Sequence, residues 1–532
     1  MKLPEHKPNY FMLINTKPLF KHFSTANFRY SLNQIKQSHA HLIISGHSHD
    51  SHAVGQLLAA LAQSPSSIPS HYSLSILRSI QNPSIFAINN LIRIFAKSES
   101  PHESLSFYKY TRKNTSFTPN KYTFTFLLQA CSKFDTNTEG TIVQGYVIKL
   151  GFYDNVYIRN VLIHLYFVYG ESECASNLFN ESPLCRDLVT WNMMMSGYAR
   201  AGRIDDVEKV FDEMPERDVI SWSSLITGYI QNGYLEKGLD CFKRMKDVKL
   251  LPNEAILVMV LSACAQLGLI ENGILIHSVI EKMGCLMTVR VMNGLVDMYA
   301  KCGHIDKARD LFNKMVEKDT SSWNVMICGL ATHGLGTETV EIFKKFLIEG
   351  YTPENVTFIG VLSACSKSGL VDEGRRYFNL MTEKYHIDPE MEHYGCMVDL
   401  LSRAGFVLEA VELVEMMLIP PDPVLWVTIL GACRTHGLVE LGEKIGKKLI
   451  QIEPNCYGNY VQLSSIYAKS HQWEEVVRTR SLIGRNSEKS PGWSLIEAQG
   501  KIHQFVAGDK EHEMAYEIYV MLDKMTNLFL VG

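Results

Sequence analysis

The chain has 532 residues, 46% of them hydrophobic, with 52 Lys and Arg against 56 Asp and Glu and a formal net charge of −4. That balance argues against a general nucleic-acid binder, whose affinity rests on phosphate neutralisation by Lys and Arg, while leaving room for a groove that reads bases. The most apolar stretch, around Ala255 to Ala265, is about half of the ~18 residues needed to cross a bilayer, so no membrane association is expected.

Residues 1–31 carry Lys2, Lys7, Lys17, Lys21 and Arg29 against Glu5 alone, with Phe11, Met12, Leu13, Phe20 and Phe23 interspersed. This composition fits an organelle transit peptide; a poorly ordered arm is the plain alternative. Scarce serine before Ser24 favours the mitochondrion over the chloroplast. Residues 32–84 read as degenerate helical repeats. Within them His47, His49, Asp50 and His52 have no defined ligand spacing and are expected to be solvated loop residues, not a metal site.

From residue 85 a cassette recurs. Leu261-Ser262-Ala263-Cys264 returns as Leu362-Ser363-Ala364-Cys365, and Trp222-Ser223 returns as Trp323-Asn324, both after 101 residues. The step divides into blocks of 35, 35 and 31: Val219 to Asn253, Glu254 to Thr288, Val289 to Asp319. Periods of this size signal a solenoid, in which a unit buries its apolar face only against its neighbours. In the short block Met292, Leu295, Val296 and Tyr299 keep helical spacing up to a Cys302-Gly303 break, after which Ile305, Ala308, Leu311, Phe312 and Met315 do so again. Each block is therefore a helical hairpin.

Walking outward in phase gives blocks ending at Asn120, Asn155, Asp187 and Asp218 on one side and at Glu354, Glu390 and Asp422 on the other. The array spans 85–422; two further hairpins fill 423–488, and 489–532 is an extension in which period-two alternation first appears. The expected fold is all-α, a right-handed α-solenoid of tandem helical hairpins. The twelve cysteines form no C-x-x-C pair, and buried thiols in a reducing compartment are the simplest reading.

This alternation of block lengths, with Asp297-Met298-Tyr299-Ala300-Lys301-Cys302-Gly303 and Met391-Glu392-His393-Tyr394-Gly395-Cys396, resembles plant pentatricopeptide repeat (PPR) proteins of the PLS subfamily. Gly431-Ala432-Cys433-Arg434-Thr435-His436-Gly437 and Tyr460 to Tyr467 resemble E motifs, and Pro491 to Asp509 an E-plus extension without a DYW deaminase domain. The resemblance implies that each repeat meets one base of single-stranded organellar RNA, read by the fifth and last residues of the repeat. Those pairs are Asn89 with Asn120, Asn160 with Asp187, Asn192 with Asp218, Ser223 with Asn253, and Asn293 with Asp319; Asn324 is followed by Glu354, an unusual partner. By the family's preferences, the units ending at Asn120, Asn155, Asp187, Asp218, Asn253, Thr288 and Asp319 read pyrimidine, weak, U, U, A, any, U, with the N-terminal repeat facing the 5′ side.

Each of these residues also has a structural explanation, since Asn, Asp and Ser cap helix starts. The cysteine-bearing blocks place Val258 with Thr288 and Ile359 with Glu390, and an aliphatic residue cannot hydrogen-bond a base. Catalytic signals are missing. A zinc deaminase needs H-x-E and P-C-x-x-C, and none of the nineteen histidines has Glu two places later. Gly442 to Lys448 is one residue short of a phosphate loop and lacks its Ser or Thr, so it is expected to be a cationic helix face. Neither an enzyme nor a cofactor is expected. The resemblance implies a site-recognition factor for C-to-U RNA editing, with a DYW-type deaminase and other editing cofactors supplied in trans. Organellar splicing or transcript stabilisation, or a protein-binding scaffold, are the alternatives.

Overall fold

The structure, a computed structural model, describes residues 32–64, 70–78, 80, 82–134, 136–181, 183, 186–284, 287–483, 493–498, 501–506, 512 and 514–530. The expected transit peptide, 1–31, lies outside them. Among the described residues there are 28 helices and two strands, and no helix is long and apolar enough to cross a membrane. The fold is an all-α solenoid of tandem helical hairpins. The chain divides within helix Leu235–Asp247 into two compact units, 1–241 and 242–532.

In the first unit, first helices Ile85–Lys97, Lys121–Cys131, Val156–Val168, Leu188–Arg200 and Val219–Gln231 pack each against the next, while second helices such as His102–Asn114 and Ile204–Glu213 pack against the first helices on either side. In the second unit the first helices are Glu254–Leu267, Val289–Lys301, Thr320–Thr332, Asn355–Ser368, Met391–Arg403, Pro423–His436 and Tyr457–Lys469. They stack in the same order. Each hairpin thus covers the next one's apolar stripe, which is why a single hairpin could not fold alone.

The recurring cassette lies in the seam between first helices. Leu261, Ala263 and Cys264, like Leu362, Ala364 and Cys365, are fully buried. These longer helices end on Gly268, Gly369 and Gly437 in the left-handed conformation, with φ of 68°, 67° and 74°, where a side chain would be strained. Gly360 marks a close approach: a Cβ there would stand 2.8 Å from Ile327 Cγ2.

Three local expectations need correction. Cys131, Cys241, Cys264, Cys365 and Cys433 are buried, but Cys174 and Cys456 are exposed, because they fall at a second-helix surface and an inter-hairpin turn. Asp50 caps helix Ser51–Gln63 by accepting from the His52 amide at 2.9 Å, so His52 sits in the first helical turn and not in a loop. No cluster among the described residues could hold a metal ion. The Gly442 to Lys448 helix is cationic only in part. Gly442 and Gly446 are buried against Ile466 and Leu463, Lys447 pairs with Glu443 at 2.6 Å, and Lys448 lies 3.8 Å over the Trp426 ring.

Beyond the hairpins, strands Trp493–Ala498 and Lys501–Val506 form an antiparallel pair in which Trp493 faces Val506. Helix Ala515–Leu530 follows.

Candidate nucleic-acid interface

The terminal residue of each block is the N-cap of the next first helix. Asn120, Asp187, Asp218, Asn253 and Asp319 all have extended backbone and accept a hydrogen bond from an amide in the first turn that follows. In four of these junctions the third helical residue closes a reciprocal box, as where Asp187 Oδ1 accepts from the Thr190 amide at 2.8 Å while Thr190 Oγ1 accepts from the Asp187 amide at 3.2 Å. The capping explanation is therefore correct for these residues.

The fifth residue of the preceding block meets the same cap. Asn89 Nδ2 donates to Asn120 Oδ1 at 3.0 Å, Asn160 Nδ2 to Asp187 Oδ1 at 3.3 Å, Asn192 Nδ2 to Asp218 Oδ1 at 3.4 Å and Asn293 Nδ2 to Asp319 Oδ1 at 3.2 Å. Residues 26 to 31 apart in sequence are thus brought together by one stacking step. Capping and pairing coexist because a carboxylate or amide oxygen accepts more than one hydrogen bond.

The two members of a pair differ in exposure. Asn89, Asn160, Asn192 and Asn324 are buried between first helices, at 5 to 8% of their free surface. Asp187 and Asp319 are exposed and Asp218 is partly so. Burial works to raise the carboxyl pKa of Asp187, Asp218 and Asp319, but hydrogen bonds from the Thr190, Ser221 and Ser322 amides and hydroxyls and from the paired Asn outweigh it, so each stays below the ordinary carboxyl value.

Other expected residues are placed differently. Ser223 is half-buried in the first unit, and Asn253 caps helix Glu254–Leu267 in the second through the Ile256 amide at 3.0 Å. Asn324 receives a hydrogen bond from Thr357 Oγ1 at 2.7 Å, with no bond to Glu354 among those of the described residues. Glu390 is held by the Asn355 side chain, at the first position of its block and not the fifth, while Ile359 is half-buried.

A clamp holds the Asp-ended caps. Arg186, Arg217 and Lys318 immediately precede Asp187, Asp218 and Asp319, and lie 3.9, 4.9 and 5.1 Å over the rings of Phe179, Phe211 and Phe312. Arg186 and Arg217 donate to the carbonyls of Phe179 and Phe211 at 3.0 and 2.9 Å, and Lys318 to that of Met315 at 2.7 Å. The same phenylalanines meet Trp191, Trp222 and Trp323 edge to face. Each cation thus braces the end of its own hairpin, and Arg186 also reaches the next one, 5.3 Å over the Trp191 ring.

The family description "PPR repeat" matches residues 189–219, 220–250, 290–320, 321–351, 356–386 and 392–418, and "E motif" matches 436–497. A pentatricopeptide repeat-containing protein of Arabidopsis thaliana is 34% identical over 498 residues, covering 93% of this chain and 80% of the relative. The chain belongs to the pentatricopeptide repeat family. Its repeats and E motif fit the PLS, E class of PPR proteins. A second Arabidopsis thaliana PPR protein, named as chloroplastic/mitochondrial, is 35% identical and covers 94% of this chain and 76% of its own length. Among solved structures, the PPR protein PPR10 in complex with an 18-nt psaJ RNA element aligns with 88% of this chain and 85% of that chain, at 13% identity and a TM-score of 0.45.

Sequence reasoning missed two features of this PPR chain. The Arg/Lys-Asp dipeptides were visible as a recurrence at 186–187, 217–218 and 318–319. The second residue of many first helices is apolar yet exposed: Phe86, Tyr122, Tyr157, Val189, Ile220 and Val356 are 48 to 64% exposed. It stands three residues before the fifth and so on the same helix face. Its signal was a hydrophobic residue recurring out of phase with the core.

Proposed function

We propose that the chain is a sequence-specific single-stranded RNA-binding protein of an organelle, a site-recognition factor for C-to-U editing that recruits a deaminase in trans. The observation that carries this reading is the hydrogen-bonded pair of fifth and last residues, repeated at four hairpin junctions. One polar pair per hairpin matches one base per repeat, and amides and carboxylates together donate to and accept from a base edge. The exposed apolar residue three positions earlier offers the base a face to stack on. Chloroplastic and chloroplastic/mitochondrial relatives support an organellar location, and the E motif favours editing over splicing or stabilisation. The chain's own part is selection, with the chemistry left to its partner.

The test is selection of RNA by the purified chain from a random pool, followed by sequencing of organellar cDNA from plants lacking the protein. A register of preferred bases following the pairs, and one unconverted cytidine just downstream of a matching site, are expected. Recovery of no register would instead favour the protein-binding scaffold.

A further inference from the structure

After five of these asparagines the third residue of the following first helix is a threonine or a serine, and its hydroxyl meets the amide in one case and not in the other. Where it is threonine, its hydroxyl is a donor to the asparagine carbonyl oxygen: Thr123 Oγ1 to Asn89 Oδ1, Thr190 Oγ1 to Asn160 Oδ1 and Thr357 Oγ1 to Asn324 Oδ1, each at 2.7 Å. Thr190 Oγ1 lies equally near its cap, 2.7 Å from Asp187 Oδ1, and Thr123 Oγ1 is 3.3 Å from Asn120 Oδ1; where the residue is serine, only the cap contact is made. Ser221 Oγ donates to Asp218 Oδ1 and Ser322 Oγ to Asp319 Oδ1, both at 2.8 Å. The carbonyl oxygens of Asn192 and Asn293 are then buried without a hydrogen-bond partner among the described residues, and Asn192 is 92% buried (8% exposed). The side chains differ by one methyl group, and in all five the hydroxyl also accepts from the cap amide, at 3.0 to 3.3 Å, so the two classes differ in how near the asparagine carbonyl comes to it.

We infer that this third residue sets the strength of base discrimination at the preceding repeat: serine leaves the Asn192 and Asn293 carbonyl oxygens unpaired, so that the amide gains by turning outward to a base N–H, whereas threonine keeps those of Asn89, Asn160 and Asn324 engaged. The inference rests on the base-reading function proposed above. An unsatisfied buried acceptor is costly, and a base that supplies the missing proton removes that cost. An acceptor already bonded to threonine gains less from the same base. In the four pairs that form, Asn Nδ2 donates to the cap in both classes, so the difference falls on bases that offer a proton, such as uracil through its N3–H. Thr123, Thr190, Thr357, Ser221 and Ser322 act as positioning residues: they touch the reader, not the base.

Reciprocal substitutions in the full chain test this. Thr190→Ser and Ser322→Thr both keep the hydroxyl that closes the cap. The probes are single-stranded RNAs carrying the selected sequence, with each of the four bases in turn at the nucleotide matched to Asn160 or Asn293. One net hydrogen bond corresponds to about three- to tenfold in affinity ratio. Ser322→Thr is expected to lower the uridine preference at the Asn293 nucleotide by about that factor, with a melting temperature no lower than that of the parent; Thr190→Ser is expected to raise it by a similar factor at the Asn160 nucleotide. Unchanged preference in both variants overturns the inference while leaving the base-reading pairs intact. So does an equal affinity loss for all four RNAs, which assigns the hydroxyl to capping alone. If the parent chain shows no base preference at either nucleotide, the pairs themselves are not readers and both proposals fall.

Discussion

The blocks 289–319 and 355–390 lie in one unit and are built alike, yet only in the first do the fifth and last residues pair. In the short block Asn293 reaches Asp319, and Lys318 beside it bonds the Met315 carbonyl. In the long block the fifth residue is Ile359, Glu390 is taken by Asn355, and the junction is closed instead by His393, whose Nδ1 accepts from the Glu390 amide at 3.0 Å and whose ring meets the Asn355 carbonyl. Stacking chemistry is common to both. Junction chemistry is not, so a repeat can change what it offers at its edge without changing how it packs.

The largest effect should come from what the two blocks share. Phe358 is fully buried in the seam and Val356, two residues away, is half exposed. Phe358→Ala should cost about 3–5 kcal/mol, whereas Val356→Ala should stay within about 0.5 kcal/mol on stability and weaken RNA binding without changing base preference. Denaturant melts and binding curves measure both; equal stability losses would break the separation of seam from edge.

Base preference comes next. Asn293→Thr keeps a small polar residue facing Asp319 and, by analogy with the family, should shift preference from uridine to guanine, with about 1–3 kcal/mol of discrimination. A U-to-G change in the RNA should restore binding. Ile359→Ala, the matching change in the long block, should alter no preference. Loss without rescue for Asn293→Thr would remove Asn293 from the readers.

A smaller effect is expected from the clamp. Lys318→Ala removes the cation from the Phe312 face and a hydrogen bond to Met315, together about 1 kcal/mol, and loosens Asp319. Thermal stability and uridine preference should fall together; a change in stability alone would restrict Lys318 to packing.

The smallest is a pH effect. Asp319 has its carboxyl held below the ordinary value, burial being outweighed by Ser322 and Asn293. Its stabilisation is complete above the unfolded carboxyl pKa, about 4, and is lost as pH falls through the lower folded value. Asp319→Asn should therefore melt below the parent at neutral pH and converge with it as pH falls below about 4, so that its acid-induced fall is smaller. A variant whose deficit against the parent is the same at neutral pH and in acid contradicts this.

Repetition is what made the molecule legible. A period preserved by two landmarks, Leu261 to Leu362 and Trp222 to Trp323, set the hairpins, and first helices begin at Val219, Glu254, Val289, Thr320 and Asn355, in phase with it. The expected partners Asn293 and Asp319 do meet. The extended C-terminal pair of strands was visible as alternation in Trp493 to Val506, since a strand turns its side chains to opposite faces. Exposed cysteines such as Cys174 were not visible, because exposure depends on which side of a second helix a neighbour covers.

By itself, then, the sequence determined period, helix phase and the chemical type of each junction, since caps and apolar spacing are local properties of a few consecutive residues. Tertiary structure alone decided which atoms of a junction are bonded. That Thr190 meets the carbonyl of Asn160 while the carbonyl of Asn293 has no partner among the described residues depends on how near two stacked helices bring groups 30 residues apart in sequence, and that distance is not written in the order of residues along the chain.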